Sequence, residues 1–170
     1  MNDMEQVKNT PFESPGRKVL PGSLNTLTIL TFIGSGIGLL SSIYGFVSAK
    51  KSYETMEEVQ GSDAFEKMPN FMKNMMGPDA LEAARRAYEN RFPILILSLV
   101  GLALCVYGAM QMRHLKKQGY YLWLIGEILP LITIVVFMGI GALTGIGGII
   151  GLVIVLLFIV LYSTQLKYLK

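Results

Sequence analysis

The sequence predicts an all-α integral membrane protein: a bundle of four transmembrane helices with an amphipathic helical segment between the first two. Three observations predict it. Apolar residues make up 52% of the 170-residue chain and are blocked into long runs, more apolar surface than so small a soluble domain can hide. None of the runs alternates polar and apolar residues with period two, the pattern of a membrane barrel strand. The basic residues gather at the ends of the runs, where lipid headgroups lie.

Residues 1–23 are polar and carry Pro11, Pro15, Gly16, Pro21 and Gly22, the composition of a mobile tail. Residues 24–170 are expected to form one membrane domain with spans at 24–49, 92–112, 120–143 and 146–166 and a loop at 50–91. A helix needs roughly 20 residues to cross about 30 Å of hydrocarbon. Three runs meet that directly, and the fourth meets it if Ser163 to Tyr168 extend its helix into the headgroups. Val47-Ser48-Ala49 loosely fits a signal-peptidase site. The polar leader and the run are both too long for a signal peptide, so this span is expected to be retained. The third run contains Glu127. A central acid costs about 2.5–3.5 kcal/mol, each Leu, Ile, Val or Phe returns roughly 0.3–0.6, and insertion wins. Trp123, Tyr120 and Tyr121 fit an interfacial belt at one end of this span.

The loop between spans two and three holds Arg113, His114, Lys116 and Lys117 and no acid. These residues are read as lipid-headgroup contacts. Arg17, Lys18, Lys167 and Lys170 flank the outer spans, so the positive-inside rule places both termini in the cytoplasm. The long first loop, with seven basic and eight acidic residues, weighs little in that rule.

Loop 50–91 has the marks of folded structure. Tyr53, Met56 and Val59 continue the helix of span one. Asp63 and Glu66 are spaced as a capping box. Phe65, Met68, Phe71, Met72, Met75 and Met76 form a Met-rich apolar patch. Thioether sulfur suits Cu(I), but no histidine or cysteine joins the group, and flexible Met side chains serve partner-binding surfaces. The patch is therefore read as a partner contact, with no metal or other cofactor assigned. Gly77-Pro78 marks a stop and a fresh helix start, and Leu81, Ala84, Ala87 and Tyr88 recur at helical spacing towards a bend near Pro93. The loop is expected to cap the bundle at the membrane surface.

Span one carries Gly34, Gly38, Ser41, Gly45 and Ser48 on one face, and span two carries Ser98, Gly101, Cys105 and Gly108. Helices in lipid gain no hydrophobic drive from meeting, so close backbone approach across small residues is what joins them. These stripes are read as helix-packing faces, with Gly147 and Gly151 a weaker version in span four. Residues 38–45, GLLSSIYG, also match residues 101–108, GLALCVYG, in spacing and character. Shared packing demand explains this; an inverted repeat is the alternative.

Glu127 is the only acid within a span, and Pro130 lies on its next turn. An ionisable residue at that depth is a functional candidate, for carrying a proton or binding a cation or ligand. Pro130 frees a backbone carbonyl nearby. The structural alternative is an anchor bonded to a hydroxyl, to that carbonyl, or to His114 or Arg113. The single cysteine excludes a disulfide framework, and a charge of +3 gives nucleic-acid binding little support. No nucleophile–base motif, HExxH, phosphate loop or carboxylate pair is present, so no catalytic residue is assigned and no enzyme activity is expected.

The stretch from Met112 to Trp123, MRHLKKQGYYLW, resembles a pattern in small four-span proteins of Bacteroidota-type bacteria: a basic loop, then Lys-x-Gly-aromatic-Tyr, then a span. The resemblance covers that loop and the adjoining span edges. It implies a bacterial inner-membrane protein and carries no catalytic residues. The layout is also similar to that of claudins, without their cysteine pair in the first loop. The expected partners are the lipid bilayer and other membrane proteins or a second copy. The expected function is that of an accessory or scaffold subunit acting through its helix faces and Met-rich loop, with a small oligomeric transporter or channel using Glu127 as the alternative.

Overall fold

A computed structural model describes residues 20–144 and 146–169. The tail with Arg17 and Lys18, the turn residue Gly145 and the terminal Lys170 lie outside the described residues. Within them the order is α1 (Gly22–Gln60), α2 (Asp63–Glu66), α3 (Asn70–Met75), α4 (Pro78–Glu89), α5 (Arg91–Arg113), α6 (Lys117–Phe137), α7 (Gly141–Thr144) and α8 (Ile146–Gln165), closed by a 3-10 turn at Leu166–Tyr168. No strand occurs among the described residues. Four helices, α1, α5, α6 and the one containing α8, are long and apolar enough to cross a membrane.

The α1 helix runs unbroken for 39 residues, about 58 Å at 1.5 Å per residue. Its apolar part ends near Ala49, so the last turns project beyond it, as Tyr53, Met56 and Val59 predict. Tyr53 there stacks on Tyr88 of α4 with parallel rings 6.2 Å apart.

Three local details differ from the sequence reading. The cap of α2 is Ser62, not Asp63; its hydroxyl donates back to the Val59 carbonyl at 2.7 Å, and no side chain caps the helix. The break before α5 falls at Asn90, which ends α4 and begins α5, while Pro93 sits in the first turn of α5, where its missing N–H leaves nothing unpaired. The third apolar helix ends at Phe137 rather than Leu143. Gly139 adopts φ +91°, a conformation that strains any residue with a Cβ, and the chain turns there before α7.

Packing is tightest between α5 and α6. A Cβ added to Gly108 would lie 2.5 Å from the Trp123 nitrogen and 2.7 Å from the Gly119 carbonyl oxygen. One added to Gly126 would lie 2.7 Å from the Gly101 oxygen. The two backbones touch through glycines on both sides. The buried cluster joins the start of α1 (Leu24, Leu27), the end of α5 (Met112), the start of α6 (Tyr120, Trp123), the end of α8 (Tyr162) and Leu169 just past the closing 3-10 turn. Trp123, expected at a lipid interface, is fully buried and lies 4.4 Å from the Tyr162 ring, centre to centre. Gly108 opposite it lets α6 come close enough to bury the indole.

Candidate functional site

Glu127 stands one turn before Pro130 in α6. A proline cannot donate to the carbonyl four residues back, so the Gly126 oxygen lacks its helical partner. That oxygen would be 3.0 Å from a Cβ at Gly101, and the Pro130 ring 3.2 Å. The freed carbonyl and the ring thus fit against α5 because residue 101 has no side chain.

Glu127 itself lines a cavity of about 240 Å³ between α1, α5, α6 and α8. Thr31, Gly34 and Ser35 of α1, Cys105 of α5 and Phe158 of α8 contribute walls, and most of the lining is apolar. Cys105 lines the same cavity as Glu127, and its Sγ donates to the Trp123 carbonyl oxygen at 3.8 Å. The Thr31 hydroxyl is engaged by the Tyr162 hydroxyl at 2.7 Å. Among the described residues no ion pair joins Glu127 to Arg113 or His114. Arg113 instead approaches the Thr28 hydroxyl at 3.5 Å. The arrangement presents one carboxyl, with a thiol beside it, to a small apolar space, which suits a proton or a cationic group.

Beyond Glu127, Cys105 and Pro130, the candidate residues are distributed as follows. Gly101, Cys105 and Gly108 pack against α6, whereas Ser98 lines a second cavity shared with α1. In α1, Gly38 meets only the tip of Leu102, Gly34 and Gly45 have nothing within 4 Å of an added Cβ, and Ser41 is exposed. Gly147 and Gly151 likewise have nothing within 4 Å. In the Met-rich segment Phe71 and Met72 are exposed, Phe65, Met68 and Met76 half-buried, and the Met75 side chain lies outside the described residues. Gln60 donates to the Met76 carbonyl and ties that segment to the end of α1. Arg113, His114, Lys116 and Lys117 are exposed in the α5–α6 turn, with Leu115 between them at φ 58°.

Sequence reasoning missed Gly119 and Gly126, the partners of the α5 stripe. The signal was available: they are seven residues apart, as are Gly101 and Gly108, a two-turn period that keeps one seam facing its neighbour.

Comparison with protein-family models, with curated proteins and with solved structures found no match.

Proposed function

We propose that the chain is a four-span protein of the bacterial inner membrane, with both termini in the cytoplasm, and that it serves as an accessory or scaffold subunit for other membrane proteins. One observation carries the scaffold reading: among the described residues, the seam between α1 and α8 is closed at one end only. Ser23 donates to Gln165 at 2.7 Å, and Thr31 meets Tyr162. Further along, Ile149, Ile150, Val153 and Leu157 of α8 are exposed, and Gly34 has open space before it. A helix from a partner would supply the missing contact, since small residues admit a second backbone closely. The exposed Phe71 and Met72 add an adaptable apolar contact outside the span.

The sidedness rests on charge. The start of α1, the α5–α6 turn and the end of α8 lie at one end of the molecule, where Arg113, Lys116, Lys117 and Lys167 form no ion pair among the described residues.

Gentle detergent extraction of the tagged protein, followed by mass analysis, tests the proposal. A stoichiometric membrane-protein partner that is released by Gly34→Leu or Met72→Asp is the expected result. A clean homo-oligomer with nothing attached overturns it. A second reading, transport through Glu127, is favoured by the cavity that its carboxyl lines. It requires a flux in liposomes that Glu127→Gln abolishes while the fold persists; a flux unchanged by that substitution rejects it.

A further inference from the structure

Arg91, at the start of α5, differs from its neighbours. Arg85 and Arg86 both bond Glu82 of their own helix. Arg91 has no ion pair or hydrogen bond among the described residues. Its guanidinium carbon lies 4.8 Å from the centre of the Tyr88 ring, 5.4 Å from Phe92 and 5.6 Å from Phe46. Aromatic faces attract a cation and fix its position, but they leave the in-plane N–H donors of a guanidinium unmatched.

The same side chain lines a cavity of about 290 Å³ bounded by α1, α4, α5 and α6. Ile94, Leu95 and Ile134 give it apolar walls. Ser41 and Ser98 line it as well, and neither hydroxyl has a hydrogen-bond partner among the described residues. Ser98 is two turns below Arg91, about 10 Å along the helix. Gly45 borders the space and leaves it open, with nothing within 4 Å of an added Cβ.

We infer that this cavity seats the headgroup end of one phospholipid, with its phosphate on Arg91, its glycerol and ester region beside Ser41 and Ser98, and the first carbons of an acyl chain along Ile94, Leu95 and Ile134, the rest of the lipid lying in the bilayer. The order of chemistry along the cavity matches the order along the lipid: cation, then hydroxyls, then hydrocarbon. A guanidinium fork suits a phosphate, and Arg91 lies at the end of an apolar helix, at the headgroup level. A soluble anion would leave the apolar walls unfilled. The inference rests on the membrane placement proposed above.

The test is native mass spectrometry of the detergent-purified full chain, titrated with dioleoyl phosphatidylglycerol. Dioleoylglycerol and glycerol 3-phosphate form separate arms. The expected result is one phosphatidylglycerol per chain, with Arg91→Gln weakening it roughly tenfold, the factor one charge-assisted hydrogen bond carries. Gly45→Phe, which fills the open space and keeps the charge, is expected to weaken it similarly, and Arg85→Gln to leave it unchanged. Wild-type affinity in Arg91→Gln or in Gly45→Phe overturns the inference. So does dioleoylglycerol binding as tightly as the phospholipid, or glycerol 3-phosphate displacing it at equal concentration. If the purified chain stays in solution without detergent, the membrane placement itself has failed, a result independent of these affinities.

Discussion

Residues 38–45 and 101–108 are the two most similar octapeptides noted in this chain, and the structure uses them differently. Gly108 lies against the backbone of α6 at distances where no Cβ could stand, and a Cβ at Gly101 would crowd the Gly126 oxygen at 3.0 Å. Gly38 touches only the end of a leucine, and Gly45 touches nothing. The spacing of small residues gives a helix one smooth face. Close approach also requires a second smooth face at the same height, and only α6, with Gly119 and Gly126, offers one. The α1 face instead borders two cavities, one holding Glu127 and one holding Arg91, with the Gly38–Leu102 contact between them.

The contrast is broken most directly by adding a methyl group to each stripe. Gly108→Ala and Gly126→Ala are expected to cost about 1–3 kcal/mol each, the range for overpacking a closed interface. Apart from the Cys105 sulfur beside Gly126, the atoms in the way are backbone, so the helices themselves must separate. Trp123 is the chain's only tryptophan and is packed between this seam and Tyr162, so its fluorescence during denaturation in detergent reports the loss. The two substitutions act on one interface and should not sum simply.

The α8 attachment comes next in size. Tyr162→Phe removes the hydroxyl that meets Thr31 at 2.7 Å, a loss of about 0.5–1.5 kcal/mol. Hydrogen exchange should rise at the end of α8 and the start of α1, while the α5–α6 pair keeps its protection. Equal loosening of all four helices would mean that the bundle unfolds as one unit and that the two seams are not independent.

On the open stripe the sign should reverse. Gly34→Ala and Gly45→Ala meet no atom, and alanine is the better helix former by about 0.8–1.0 kcal/mol. Both are expected to be neutral or to stabilise the chain by up to that amount in the same denaturation assay. Destabilisation comparable to Gly108→Ala would mean that α1 closes on a neighbour not present here.

These differences locate what the sequence could and could not tell. The apolar runs, the continuation of α1 past Tyr53 and the restart at Pro78 were legible because each depends on local composition and spacing. The place of Glu127 within a long apolar helix was legible for the same reason. Which stripe would be filled was not, because that depends on two faces at once. Trp123 was misplaced by the same limitation: a Trp near the end of a span fits an interface, and only the glycine at position 108 on another helix explains its burial. Arg91 was counted among seven basic residues of a loop, since nothing local distinguishes a paired arginine from an unpaired one. The turn at Gly139 shortened the third helix against an apolar run that continues through it.

The smallest effect concerns α4, which is held to α1 by ring contacts rather than by a glycine seam. Its exposed Glu82 accepts from Arg86 Nε at 2.9 Å and from Arg85 Nη2 at 3.0 Å, and these hydrogen bonds, Arg86 first, hold its carboxyl below the ordinary carboxylate range. A group whose folded pKa is depressed stabilises the fold above its unfolded pKa and loses that contribution as pH falls through the folded value. Glu82→Gln should therefore raise exchange in α4 slightly at neutral pH. The difference from wild type should shrink on acidification through the carboxylate range, and in high salt as well, because exposed pairs are screened. The α5–α6 amides should not respond under any of these conditions. A response there would show that the loop helix and the glycine seam share one cooperative unit, in which case the two stripes are coupled through α4 rather than separate.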